Sequence, residues 1–122
     1  MARYRLSGPA KADIAAILGI SGARHGPRAR ARYQALLAAA LRRVAADPAG
    51  PSTADRVDLL AGLRSFHISH SRPESREAPV ANPVHVIFCQ IAGPRLVEIV
   101  RVLHERMDPR LHLATKASDD DR

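Results

Sequence analysis

Between Pro27 and Pro48 the apolar residues Ala29, Tyr33, Leu36, Leu37, Ala40, Leu41 and Val44 recur at steps of four, three, one, three, one and three. That rhythm traces one face of a 3.6-residue helix. A helix with one apolar stripe is stable only when something covers the stripe, so this segment commits the chain to a layered domain. Pro27 is acceptable in a first helical turn, and Asp47-Pro48 ends the pattern because the residue before proline is steered out of helical geometry. A second, shorter stripe precedes it: Ala10, Ile14, Ile17 and Leu18, with Ser7 as a candidate cap and Pro9 in the first turn. SGARHGP (Ser21 to Pro27) breaks that helix, so the two form an antiparallel helical hairpin.

The rest of the chain has strand character. Residues 2–6 (ARYRL) predict a short first strand. Pro48 to Thr53 (PAGPST) reads as a loop, followed by a turn of helix through Val57 and Leu60. Leu63 to Ser69 alternates apolar and polar residues, as a half-buried strand does. Val84 to Ile91 and Leu96 to Leu103 are β-branched runs separated by Gly93-Pro94, and so predict a hairpin. The last strand is apolar on both faces apart from Glu98 and Arg101, which predicts a central place in the sheet. His70 to Pro83 is a polar, proline-rich loop, and residues 114–122 predict a disordered tail. The expected fold is α+β in the order β-α-α-β-β-β. A helical hairpin packs on a mostly antiparallel four-stranded sheet, within one domain over residues 1–113.

A chain of 122 residues suits one domain and can bury a core unaided. Its formal charge is +7, and 17 of its 19 basic residues are arginine. That surplus favours an anionic partner, either nucleic acid or an acidic protein; a genome-wide bias toward Arg and Ala would give the same composition. Aromatic residues make up only 3%, which argues against a base-stacking platform. The single cysteine, Cys89, excludes an internal disulfide and fits a reducing cytoplasm. The N-terminus lacks the continuous apolar run of a signal peptide, and no stretch approaches the ~18 apolar residues of a membrane span.

Several motifs resemble the ParE-like toxins of the ParE/RelE superfamily over residues 4 to about 113. They are YRLSGPAKADIAAIL (Tyr4 to Leu18), RARYQALLAAALRRVAADP (Arg30 to Pro48), GLRSF (Gly62 to Phe66), HVIF (His85 to Phe88) and VRVLHERMDPRLHL (Val100 to Leu113). The pairing of an early Leu6-Ser7-x-x-Ala10-x-x-Asp13 with a late RVLHERMDP-x-x-HL is the most specific. FHISHSRPES (Phe66 to Ser75) resembles a subgroup with a longer hairpin. The chain departs from the family pattern at Val84, Cys89 and Gln90, where relatives carry Arg and then Tyr-Arg.

The resemblance implies a type II toxin that arrests growth and is neutralised by a cognate ParD-like antitoxin in a hetero-oligomer. ParE-like toxins imply DNA gyrase as the target. RelE-like cousins on the same fold imply a ribosome-dependent mRNA endonuclease, and fold alone does not choose between them. The departures around His85 motivate a third reading, a decayed toxin that only binds its antitoxin. A basic module that binds DNA unaided is a fourth.

Metal-free RNA cleavage needs an acid/base pair and a cation for the phosphate. The chain offers Arg64, His85, His104, Glu105, Arg106 and His112 for that chemistry, with His104, Arg106 and His112 foremost. His85, flanked by Val84 and Val86, reads instead as a packed or hydrogen-bonded strand residue. A gyrase-binding inhibitor needs no catalytic residues, and Arg64, His104, Arg106, Asp108 and His112 are then the expected target contacts. Arg64 and Arg101 lie within strands, where a charge needs a partner, and Glu98 is the candidate. Ile14, Leu18, Tyr33 and Leu37 are expected to line an antitoxin groove. The arginines around the second helix (Arg28, Arg30, Arg32, Arg42, Arg43) are either a solvated face or an antitoxin-docking surface. The six histidines lack metal-ligand spacing, so no metal or cofactor is expected. Cys89 reads as inert core.

Overall fold

A computed structural model describes residues 3–113. Strand β1 (Arg3–Leu6) leads into helices α1 (Gly8–His25) and α2 (Pro27–Ala46). Strands β2 (Thr53–Asp55) and β3 (Arg64–His67), a 3₁₀ helix (Ile68–Ser75), and strands β4 (His85–Gly93) and β5 (Leu96–His104) follow. A helical turn occupies residues 109–113.

The fold is α+β, with the helical hairpin on one face of the sheet. The sheet has five strands in the order β1-β5-β4-β3-β2, one more than the sequence predicts. The additional strand starts at the end of the expected PAGPST loop. The turn expected through Val57 and Leu60 follows it as a single hydrogen-bonded turn, with Leu59 N (2.9 Å) and Leu60 N (3.1 Å) both donating to Arg56 O. Thr53, Ala54 and Asp55 pair antiparallel with Phe66, Ser65 and Arg64. The Asp55 carboxylate then accepts from Val57 N (3.0 Å) and turns the chain back, leaving Val57 and Leu60 exposed. β5 is interior, flanked by β1 and β4, while β4 holds the centre. β1 runs parallel to β5, from Arg3 opposite Leu96 to Leu6 opposite Ile99.

α1 extends past the predicted break as far as His25. Ser21 and Gly22 are tolerated because the hairpin turn needs only one residue, Gly26. Its φ of 89° and ψ of 173° suit glycine alone, and Pro27 restarts the helix at once. Ser7 caps α1 as expected, its hydroxyl accepting from Ala10 N (3.1 Å) and donating to Val100 O (2.7 Å). The cap therefore also fastens α1 to β5.

The α2 stripe is the floor of the core. Leu36, Leu37, Ala40, Leu41 and Val44 are buried against Phe66, Ile87, Cys89, Val97, Ile99 and Val102. Burying each large aliphatic side chain contributes about 1.5–3 kcal/mol before entropy is counted. The other face of the sheet has a smaller cluster of Leu63, Phe88, Val100 and Leu103, covered by Leu59, Val86 and Leu113. That second cluster is why β5 is apolar on both faces. A β-bulge sits between them: Phe88 pairs with Arg101 and Cys89 with Ile99, so Val100 has no partner on β4.

His70 to Pro83 is more ordered than a loop. Its first part belongs to the 3₁₀ helix packed on α2, and Arg43 Nη1 donates to His70 O (2.7 Å) and to Glu74 Oε1 (3.2 Å). The tail expected over residues 114–122 lies outside the described residues. No helix among the described residues is long and apolar enough to cross a membrane.

Candidate functional site

One end of the sheet brings together three histidines, a tyrosine and a glutamate. His85 opens β4 and His104 closes β5, and the register pairs them directly, rings edge to face with centroids 5.5 Å apart. Tyr33 reaches this pair from α2. Its hydroxyl lies 2.6 Å from His85 Nδ1 and accepts from Val84 N at 3.1 Å. With its oxygen already receiving the Val84 proton, Tyr33 directs its own toward Nδ1, which fixes the neutral His85 ring with its hydrogen on Nε2.

Burial, followed by the neighbouring His104 and His67, depresses His85 to about 4, so the ring is neutral at pH 7. Burial likewise raises Tyr33 and keeps its hydroxyl protonated. The expectation that His85 is a hydrogen-bonded strand residue therefore describes its surroundings. Spacing puts Tyr33 on the apolar stripe of α2 and gives no sign of His85 as its partner.

A second pair stands beside it. His67 Nδ1 accepts from Ser69 N (3.2 Å), which leaves Nε2 to donate to Glu105 Oε1 at 2.7 Å. That hydrogen bond is the main reason the exposed Glu105 carboxyl lies below its ordinary value. Nothing in the sequence joins this pair, since β3 and the end of β5 meet only through the sheet. Glu105 N donates to Val84 O (2.8 Å), extending the sheet by one bond beyond β5.

The predicted target contacts divide. His104, Arg106, Asp108 and His112 lie on one continuous segment that leaves β5. Arg106 N donates to His104 Nδ1 (3.1 Å), and the Asp108 carboxylate accepts from Arg110 N (3.0 Å) at the start of the helical turn. His112 O accepts from Arg101 Nη1 (3.0 Å), which holds the turn against the sheet. Arg64 is separate: its guanidinium ends on Thr53 Oγ1 (2.9 Å), toward the β2 edge.

The partner of Arg101 is Asp13 of α1, not Glu98, which instead meets Arg5 (3.4 Å) and Gln90 (3.4 Å). Of the expected groove residues, Leu18 and Leu37 are buried in the core and offer a partner no surface, while Ile14 and Tyr33 are half-buried around it. Cys89 is fully buried and its thiol is pushed up to about 11, leaving no nucleophile. Among the described residues no three His, Cys, Asp or Glu side chains are grouped to hold a metal ion.

Residues 4–109 match the model of the ParE toxin of the type II toxin–antitoxin system, parDE. The chain is also similar to Toxin ParE1 of Caulobacter vibrioides, with 37% identity over 113 residues, covering 93% of this chain and 99% of that one. The match spans both the Leu6-to-Asp13 motif and most of the segment after β5, the two places where the fold binds its ends together. The chain belongs to the ParE family of toxins from type II toxin–antitoxin systems.

Proposed function

We propose that this chain is a cytoplasmic toxin that is neutralised by a ParD-like antitoxin and, when free, inhibits DNA gyrase by binding it. The observation that carries this reading is the extent of the ParE likeness, from residue 4 to 109 and across nearly the whole length of a toxin named ParE1. The geometry is compatible with a binding role. Arg106 and Asp108 are exposed, while His104 and His112 are half-buried on the same short segment. That segment is fixed to the sheet by Arg101 and closed by Asp108, so a partner would meet a largely preformed surface.

A second reading draws on the His67–Glu105 pair, 2.7 Å apart and close to His85 and His104. A carboxylate that orients an imidazole is a common arrangement in acid–base chemistry, and Arg106 lies next in the chain as a phosphate cation. Under that reading the chain cleaves ribosome-bound mRNA.

The test is induction of the chain alone in a bacterium, with gyrase supercoiling and transcript integrity measured alongside growth. Growth arrest with lost supercoiling, relieved by Arg106→Glu or His112→Ala, supports the gyrase reading. Arrest with normal supercoiling and cut transcripts, lost on His67→Ala, moves the assignment to the ribosome. Absence of arrest leaves a chain that only binds its antitoxin.

A further inference from the structure

Arg28 and Arg32 lie one helical turn apart on α2, with Ala31 between them. The 3₁₀ helix and the chain that follows it lie opposite, bringing Arg72 of the helix and then Glu77 and Val80 to face them. These residues line an open cleft of about 760 Å³. Three arginines and one glutamate give the lining a surplus of two positive charges.

None of these four charged side chains has a hydrogen-bond or ion-pair partner among the described residues. The arginines that hold the fold together are different ones. Arg43 is tied to His70 and Glu74, Arg64 to Thr53, and Arg101 to Asp13. The cleft is also preformed. Arg43 pins the chain at one end, the bond from Val84 N to the Tyr33 hydroxyl pins it at the other, and Val80 packs against the core between them. A ligand entering it meets little ordering cost on this side.

The lining selects among anions. Arginine forks suit carboxylates and phosphates alike. The apolar wall of Ala31 and Val80 and the lack of any aromatic ring give bases nothing to stack on. Glu77 repels a phosphodiester backbone, which brings no donors, but accepts from the N–H groups or basic side chains of a peptide. We infer that the cleft between α2 and residues 72–81 takes an acidic peptide stretch of the antitoxin, whose carboxylates pair with Arg28, Arg32 and Arg72. This rests on the reading that the chain has a cognate antitoxin. It places part of the contact on the helical side of the molecule, away from the segment after β5.

The test compares the wild-type chain with the Arg28→Glu/Arg32→Glu double variant and with Arg72→Glu. The probes are the protein encoded by the adjoining reading frame, a fluorescent oligoglutamate peptide and a duplex DNA of the same length. Thermal melting of each variant controls for folding. The expected result is that both probes of protein character bind the wild-type chain. The variants should lose affinity by about tenfold or more and show a shallower salt dependence. They should melt as the wild type does and arrest growth without being rescued by the adjoining frame. Variants that bind the adjoining protein as tightly as the wild type does overturn the cleft assignment and leave the toxin reading standing. Tighter binding of duplex DNA than of oligoglutamate, lost in the same variants, overturns it in favour of a nucleic-acid surface. Failure of the wild-type chain to bind the adjoining protein at all overturns the antitoxin reading and this proposal with it.

Discussion

Asp13 on α1 and Arg101 on β5 are 88 residues apart and form a two-point ion pair, with both N–H···O distances 2.8 Å. The same carboxylate accepts from Val102 N at 2.9 Å. β1 pairs with β5 only as far as Ile99, so the backbone of β5 beyond it would otherwise present an open edge. Ser7 takes Val100 O and Asp13 takes Val102 N, so α1 completes what β1 leaves unpaired. The bulge at Val100 turns the strand here, and Arg101 also reaches His112 O.

Replacing Asp13 removes the carboxylate that faces a guanidinium whose side chain is only 12% exposed and that accepts from the Val102 N–H. Asp13→Ala is therefore expected to destabilise the chain by about 2–4 kcal/mol, near the lower end of what breaking a buried pair costs because some solvent reaches it. A double-mutant cycle with Arg101→Met, followed by urea unfolding, should return a coupling energy of at least about 1 kcal/mol. Additive effects would mean that the pair is ornamental.

His85 makes stability depend on pH in a direction fixed by its neutral ring. Its folded value of about 4 is below the unfolded 6.5, so the unfolded chain binds more protons between them. The stabilisation is complete above pH 6.5 and fades as pH falls toward 4. Discounted for the ring's partial exposure, the loss should be about 1–2 kcal/mol across that window. Urea midpoints at pH 7.5 and pH 5 measure it, and His85→Asn should flatten the difference. Tyr33→Phe removes the donor to Nδ1 and should raise the His85 titration midpoint seen by NMR. A midpoint that does not move upward would contradict the assigned hydrogen bond.

Cys89 should be silent toward thiol reagents in the native chain. It is fully buried, and its thiol is raised to about 11. Labelling with an aromatic disulfide reagent should proceed only as fast as global unfolding allows, and become rapid in urea. Fast labelling of the native protein would show that β4 opens locally.

Ser71, in the 3₁₀ helix, is fully buried and its hydroxyl has no hydrogen-bond partner among the described residues. An unpaired buried hydroxyl costs about 1–3 kcal/mol, so Ser71→Ala should leave stability unchanged or raise it by up to about 1 kcal/mol. Differential scanning calorimetry of the two chains decides the sign. A drop in melting temperature would reveal a bond the hydroxyl makes.

The sequence by itself determined the parts of this protein that obey local rules. The α2 stripe, the Ser7 cap, the Gly93-Pro94 hairpin and the α+β order follow from spacing, capping and turn chemistry, which act over a few residues. It also carried both halves of the Asp13–Arg101 pair, as the end of one motif and the start of another, without saying that they meet. Only the tertiary structure decided that, along with the Tyr33–His85 and His67–Glu105 bonds, the burial of Leu18 and Leu37, and the fifth strand at Thr53–Asp55. Each depends on register and packing between separate segments, where loop closure and not local propensity governs which groups come together. An apolar position on a stripe reads the same whether it faces a core or a partner. The difference is made by what lies on the other side, and here that is the sheet.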